Sequence, residues 1–407
     1  MKYAVLDVET TIRNDGNPFT KGNKICLVGI LIDGIYTEFD IEYSHGPYGE
    51  ALGAIKGLLE SVDYVVGFNV KFDLHWIRNY VPTLDVFCVF DCQLAAFILN
   101  NQRTPYPSLD GCLSAYDLDS KLNVVKSEYW DHGIDTTEVP RDILSRYLEQ
   151  DVRQTEALYL KQLSVITEAQ KRLIWLQGRD LLILLEMERN GLKYDKERAR
   201  ELGIKTQQRI AEIDTELRTL VASPVVSFGS DDHISSVLYG GVIYEAYREH
   251  YERELKGGKV VQRERWSERP HQFERLVDPI KGTETKPTAG MGEDALRDAN
   301  REREALGKKP YQRHWSVAEP IIKRLKAGKR AKSIINLMLA RSLLKKLDST
   351  YYTGLVDKMD IMDSVDGLIH GQFNQVVAVT GRLSSSNPNL QNFSGEIKEL
   401  FVSRYAD

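Results

Sequence analysis

The chain has 407 residues, 42% of them apolar and 28% charged, with a formal net charge of -5. That length can bury sizeable cores and suggests two or three domains, while the absence of any apolar run of about 18 residues excludes a membrane-spanning helix. The charge is unevenly spread. Up to Ile166 there are 24 acids against 14 bases, and beyond it 35 against 40, so the two parts are expected to do different work. "MKYAVLDVET" opens directly as an alternating strand, without the charged and apolar regions of a signal sequence, which gives a cytoplasmic expectation with no membrane partner. Cys26, Cys88, Cys92 and Cys112 lack CxxC spacing and a nearby His cluster, so they are expected as free thiols rather than a zinc site or disulfides.

In chain order, "YAVLDVETT" alternates as a half-buried strand, and "KICLVGILID" and "IYTEFDI" continue as strands separated by Gly/Asp turns. "YGEALGAIKGLLESV" has helical spacing. "DYVVGFNVKFDLHWIRNY" reads as a short buried strand running into a helix, and "PRDILSRYLEQDVRQTEALYLKQL" as an amphipathic helix with a stripe of Leu144, Leu148 and Val152. Strands interleaved with helices predict an α/β domain with a mostly parallel or mixed sheet.

Three small acidic patterns fall on these elements. Asp7 and Glu9, two residues apart on the opening strand, project from one face. Asp73 follows a strand and enters a helix, and Tyr147 and Asp151 lie one helical turn apart. Taken singly, each has an ordinary reading: a solvated sheet edge, a helix-start acid favoured by the dipole, and a packed tyrosine beside a surface acid. Together, four acids converging on one end of a sheet would repel strongly unless a cation sat among them. Oxygen ligands of this kind suit Mg²⁺, which takes a few carboxylates and completes its shell with water and phosphate. Two such ions can assist displacement at phosphorus, with a tyrosine hydroxyl one turn away to orient the water.

Asp7-x-Glu9, "NVKFD" ending in Asp73, and "YLEQD" from Tyr147 to Asp151 resemble, in the same order, the three motifs of the DEDDy class of 3′→5′ exonucleases. The resemblance implies an RNase H-like exonuclease domain over residues 1–166, with a mixed sheet and flanking helices. It also implies two divalent ions, Mg²⁺ with Mn²⁺ able to substitute: Asp7, Glu9 and Asp151 would hold one, Asp7 and Asp73 would serve the second, and Tyr147 would position the water. Thr10 and Asn69 would touch the terminal nucleotide.

This class includes stand-alone nucleases and the proofreading domain of A-family, Pol I-like DNA polymerases. "LIWLQGRDLLILLEMERN", ending at Gly191, and the charged segment after it read as two long helices. "LLEMERNGLKYD" resembles the polymerase entry into the thumb, and "SFGSDDHISSVLYGG" the short capped helix that follows. A mainly helical thumb is thus implied over 167–355, with a variable insertion at about 240–314 that is dense in charges, Gly and Pro and has short possible strands such as "KVVQRERW". Beyond it come nine Lys/Arg with no acid between Glu319 and Asp348. Lys329, Arg330 and Lys332 among them are read as phosphate contacts to a primer-template duplex, although a charge run is also an ordinary solvated face.

An apolar strand-like run, Val376 to Val379, leads into "TGRLSSSNPNLQN", which resembles the loop by which A-family polymerases hold the primer-template. By that resemblance Arg382 reaches the minor groove or a primer phosphate, and Asn389, Gln391 and Asn392 make nearby contacts. Such hydrogen bonds in a degenerate groove suit a protein that accepts any sequence. Residues 356–407 would then begin an α+β palm. Motifs like DYSQIE and HDE, which carry polymerase chemistry in the family, are not present, and Asp407 does not stand at the matching offset. The expectation is therefore the N-terminal portion of a phage-like polymerase, either a truncated chain or one half of a split polymerase completed by a second chain, with a processivity factor as a further possible partner and the host cytoplasm as its location. An autonomous trimming exonuclease and an accessory DNA-binding subunit are the alternatives. The primer-template loop argues against the first and the complete acidic set against the second.

Overall fold

The structure is a computed structural model that describes residues 1–44, 48–119, 123–254, 256, 260–362, 367–393 and 395–405. Its contacts form two compact units, Met1–Arg198 together with Leu355–Asp407, and Ala199–Gly354. Among the described residues no helix is long and apolar enough to cross a membrane.

The first unit is built on a five-stranded sheet of order β3-β2-β1-β4-β5, made of β1 (Tyr3–Thr10), β2 (Ile25–Ile32), β3 (Ile35–Asp40), β4 (Tyr64–Gly67) and β5 (Val89–Asp91). β1 runs antiparallel to β2 and parallel to β4, and β4 is parallel to β5, so the sheet is mixed. Between the strands come α1 (Gly49–Glu60) and α2 (Val70–Tyr80), followed by α3 (Cys92–Leu99), α4 (Leu109–Ala115), α5 (Val124–Glu128), α6 (Arg141–Val165) and α7 (Glu168–Asn190).

Helices cover both sheet faces, which corrects the half-buried reading of β1. Val5, Leu27, Leu31 and Val66 pack with α3 and the α6 stripe of Leu144, Leu148 and Val152. Ala4, Leu6, Val8 and Ile30 pack with Ile55, Leu74, Ile77, Leu181 and Leu185 of α1, α2 and α7. A strand buried on both faces has no solvent side to mark its alternation. Burying each large aliphatic side chain contributes about 1.5–3 kcal/mol. The expected boundary at Ile166 does not coincide with the edge of this unit, because α7 packs Ile174, Leu181 and Leu185 into these two cores.

Two glycines allow the close approaches. A Cβ on Gly29 of β2 would lie 3.0 Å from both Leu148 and Val152 of α6, and one on Gly178 of α7 would lie 2.5 Å from the Val89 carbonyl oxygen. At Gly178 the helix sits nearer the sheet than any side chain there would permit, and at Gly29 a side chain would be tightly crowded.

The rest of this unit returns to the end of α7. β6 (Leu192–Lys193) pairs antiparallel with β9 (Leu368–Ile369), and Tyr194 bridges to Phe401. β10 (Gln372–Asn374) and β11 (Ser384–Ser386) form a short antiparallel hairpin, preceded by α13 (Thr353–Met362) and followed by α14 (Gly395–Lys398). The run Val376–Val379, expected as a strand, lies in the hairpin's connection instead. Val376 packs inward and accepts a backbone bond from Tyr106, Val379 is exposed, and neither has a ladder partner. Asp407 lies outside the described residues.

The second unit contains most of α8 (Lys196–Val221), then α9 (Asp231–Tyr239), the hairpin strands β7 (Gly241–Glu254) and β8 (Val260–Phe273), α10 (Glu293–Ala305), α11 (Glu319–Ile322) and α12 (Lys329–Leu347). Ser230 caps α9 by accepting from the His233 amide. Its core joins Ile213 and Leu217 to Phe228, Leu238, Tyr239, Ile334 and Met338. The region expected to hold short strands forms instead one antiparallel hairpin with 14 residues in each strand. The four thiols are free, as expected, with Cys26, Cys92 and Cys112 buried.

Candidate nuclease centre and nucleic-acid interface

Strand parity sends Val5, Asp7 and Glu9 toward the α6 side of the sheet, opposite the face occupied by Leu6 and Val8. Asp7 stands across from Gly29 in the ladder. The glycine admits α6 at that point, and α6 delivers Tyr147 and Asp151 there on one of its faces. Carboxylate oxygens of Asp7, Glu9 and Asp151 lie within 4.8 Å of one another, close enough to share one cation. The register shifts between Glu9 and Thr10, where Cys26 is the extra residue of a bulge that ends the regular ladder beside the acids.

Tyr147 is buried, hydrogen-bonds Asp151, and packs edge-on against Trp130 at 5.8 Å. Burial first, and then the charges of Asp151, Glu9 and Asp7, push its phenol well above the ordinary range, so it keeps its proton at neutral pH. Asp73, in the first turn of α2, is nearly inaccessible. Burial and then the neighbouring carboxylates Asp7 and Asp91 raise its pKa well above the carboxylate range, against amide hydrogen bonds from Val8 and its own backbone. Asp73 therefore feels Asp7 but does not belong to the three-acid group.

The donor set fits a hard divalent cation: oxygen ligands only, crowded, and close to one another. Such an ion would relieve the repulsion that the ligand spacing creates.

Thr10 is buried at the end of β1, its carbonyl accepting from the Thr136 hydroxyl at 2.6 Å. Asn69 precedes α2 in the left-handed region, φ +62°, and lines a cavity of about 370 Å³ with Lys71, His75, Gln93 and Phe373. The three-acid group does not line that cavity.

Two residues that sequence reasoning did not single out hold α2 in place. Asp91, buried at the end of β5, accepts from the amides of Val70 at 2.9 Å, Gln93 at 2.8 Å and Leu94 at 3.0 Å, so it caps α3 and also holds the start of α2. An aspartate just before "CQLAAFIL" is a legible cap signal, but its second role across the sheet is not. Glu188 of α7 accepts from Lys71 and from His75, each at 2.6 Å, so that it grips α2 on both sides of Asp73.

In the second unit Lys329, Arg330 and Lys332 are exposed in the first turn of α12, which contains no acid. Arg330 also donates to the Leu220 carbonyl at 2.8 Å. Arg341, counted in the same basic run, is spent internally on Asp214 and the Phe228 carbonyl. In the first unit Arg382 is exposed in the β10–β11 connection, with Asn389, Gln391 and Asn392 exposed after β11, where Asn389 accepts from the Gln391 amide.

Residues 293–406 match the model of DNA polymerase family A. A DNA polymerase of Bacillus phage SP01 is 24% identical over 388 residues, covering 88% of this chain and 38% of that protein. DNA polymerase I of Bacillus subtilis is 25% identical over 315 residues, 76% of this chain and 27% of the relative. DNA polymerase I of Synechocystis is 44% identical over 75 residues, 17% of this chain and 7% of the relative. Among solved structures, the POL domain of Pol1 from M. smegmatis, in complex with DNA primer-template and dNTP, has a similar fold with a TM-score of 0.58 at 19% identity, covering 98% of this chain and 54% of that one. The chain spans well under half the length of these curated relatives. Residues 293–406 thus match family A DNA polymerase, and the chain as a whole is similar in sequence to phage and bacterial DNA polymerases.

Proposed function

We propose that this chain carries the 3′→5′ proofreading exonuclease of a family A DNA polymerase together with part of its primer-template grip. In this reading residues 1–166 are an RNase H-like DEDDy domain, 167–355 a thumb with its insertion at about 240–314, and 356–407 the start of a palm. The observation that carries it is the grouping of Asp7, Glu9 and Asp151 within 4.8 Å, with Tyr147 hydrogen-bonded to Asp151 on the same helix.

Asp7, Glu9 and Asp151 would hold one Mg²⁺ and Asp7 with Asp73 would serve another. Such ions, when bound, supply Lewis-acid stabilisation of charge at phosphorus and lower the pKa of bound water. Tyr147, kept protonated by its surroundings, orients a water through its hydroxyl rather than acting as a base. Asp91 and Glu188 fix the helix that carries Asp73, and a supported ligand is a precisely placed one. Thr10 and Asn69, at the ends of the elements bearing Glu9 and Asp73, are proposed to meet the terminal nucleotide.

Duplex binding is proposed for Lys329, Arg330 and Lys332 and, separately, for Arg382 with Asn389, Gln391 and Asn392. Cations at a helix N-terminus oppose its dipole and weaken the helix. Three of them there, without a carboxylate in the turn, are accounted for by an anionic partner such as phosphate.

The test is digestion of a 3′-labelled single-stranded oligonucleotide in Mg²⁺. Stepwise release of nucleotides that falls by about two orders of magnitude in Asp7→Ala supports the assignment. Undiminished degradation in that variant, or degradation in excess chelator, would overturn it.

A further inference from the structure

The β7–β8 hairpin is a ribbon with two chemically different faces. Residues paired across the ladder share a face, so the register puts Glu245, Tyr247, Glu249, Tyr251 and Arg253 together with Arg269, Ser267, Arg265, Arg263 and Val261. The opposite face carries Glu252, Glu254, Glu264 and Glu268, with Arg248 lying over Trp266. On that acidic side Lys309 reaches both Glu268 and the Tyr244 ring. One face thus has four arginines against two glutamates, and the other one arginine against four glutamates.

Both glutamates of the basic face are already engaged, Glu245 by His271 at 2.9 Å and Glu249 by Arg265 at 2.7 Å. Arg253, Arg263 and Arg269 have no carboxylate within ion-pair distance among the described residues. Arg265 lies over the Tyr251 ring and Arg269 over the Tyr247 ring, each 5.2 Å from the centroid. Stacking holds a guanidinium flat against a ring and leaves N–H groups along its rim for a phosphate; Arg265 gives its Nε–H to Glu249 and has its terminal nitrogens for that contact. Arg263, Arg265 and Arg269 share strand β8, and the outer two are about 20 Å apart at the strand rise. An extended single strand can lay successive phosphates along so straight a row, whereas duplex phosphates wind away from it.

We infer that this basic, tyrosine-backed face of the hairpin is a docking strip for the backbone of single-stranded DNA. The acidic face opposite repels the same polyanion and so restricts it to one side of the ribbon. Phosphate neutralisation by arginine gives affinity that is indifferent to sequence and steeply salt-dependent. Tyr247 and Tyr251 add rings on which any base can stack. The inference does not depend on the exonuclease reading.

The test uses the full chain in excess chelator, so that nuclease activity plays no part, with a fluorescein-labelled oligothymidylate followed by anisotropy across a salt series. Replacing Arg263, Arg265 and Arg269 by Glu should weaken binding about tenfold or more and flatten the slope of log affinity against log salt by about 2, as expected for three lost phosphate contacts on a single strand. The milder Gln replacements should act in the same direction with unchanged circular dichroism, which separates lost contacts from lost fold. Replacing Glu252, Glu264 and Glu268 by Gln should leave binding intact or strengthen it. Unchanged affinity in both arginine variants would overturn the inference. It would also be overturned if polyglutamate displaced the oligonucleotide from the native chain as effectively as unlabelled oligothymidylate does, since the strip would then suit an acidic protein instead.

Discussion

His75 of α2 and Glu188 of α7 meet through a 2.6 Å bond between Nε2 and a carboxylate oxygen, although 113 residues separate them. The same carboxylate takes Lys71 at 2.6 Å and the amide of Phe373 at 2.6 Å, while Lys71 also donates to the Phe373 carbonyl. One side chain, 2% exposed, therefore ties together α2, α7 and the β10 strand. Glu188→Ala would leave a lysine and two further donors without their acceptor in a desolvated place. Breaking a buried ionic group in this way costs about 3–5 kcal/mol. Chemical denaturation should register that loss, and a change below about 1 kcal/mol would mean that the network is not holding these elements.

Gly29→Ala tests the close approach of α6 to the sheet. The new methyl would sit 3.0 Å from Leu148 and Val152 and 3.1 Å from the Tyr36 ring, so these side chains, and α6 with them where they are held tightly, have to give by a few tenths of an ångström. Overpacking of this kind costs about 1–3 kcal/mol. Because Tyr147 and Asp151 travel with α6, the proposed exonuclease activity should fall along with melting temperature. A variant that melts and digests like the parent would show that the helix has slack at this point.

Much of this architecture could be read from the residues, and the failures have physical causes. The strand around Asp7 and the helix around Tyr147 announced themselves by period, whereas the ligand grouping of Asp7, Glu9 and Asp151 was implied by the family resemblance; of the four acids expected to converge, these three lie together and Asp73 stands apart. Glu188 was not foreseen, because "LLEMERN" on a charged helix resembles a solvated surface, and its partners at Lys71, His75 and Phe373 are remote in sequence. The β7–β8 hairpin was reduced to short strands because it buries almost nothing, so neither of its faces has the apolar alternation that marks a strand. At Val376–Val379 the opposite error occurred, where an apolar run without ladder partners turned out to be a connection.

His370 supplies a pH test. It stacks on Phe19 at 4.1 Å and bonds through Nδ1 to the Glu188 carbonyl at 2.8 Å. Burial, with smaller contributions from Arg189 and Arg404, lowers its pKa below the ordinary value of 6.5, against the opposing pull of the carbonyl. The unfolded chain therefore binds a proton here at a higher pH than the folded one does. Stability from this group is intact above 6.5 and is lost as pH falls below it toward the folded pKa. Urea denaturation at neutral and mildly acidic pH should show the parent losing more stability than His370→Asn, which keeps a donor for the carbonyl but does not titrate. Parallel losses would mean that His370 accepts its proton freely in the fold.

The proposed metal centre predicts a stability signature separate from catalysis. Without a cation, the carboxylates of Asp7, Glu9 and Asp151 crowd within 4.8 Å. Removing one charge by Asp151→Asn leaves an oxygen that can still accept from Tyr147 and reduces the repulsion, so in chelator the variant should melt no lower than the parent. Mg²⁺ should raise the parent's melting temperature, because a ligand bound only by the folded state stabilises it by about 2.7 kcal/mol at a hundredfold excess over its Kd. In Asp151→Asn most of that rise should disappear, since the three-acid group has lost an anionic ligand. Differential scanning calorimetry with and without Mg²⁺ makes the comparison directly. Equal shifts in both proteins would place the bound ion elsewhere and remove the main support for the nuclease assignment.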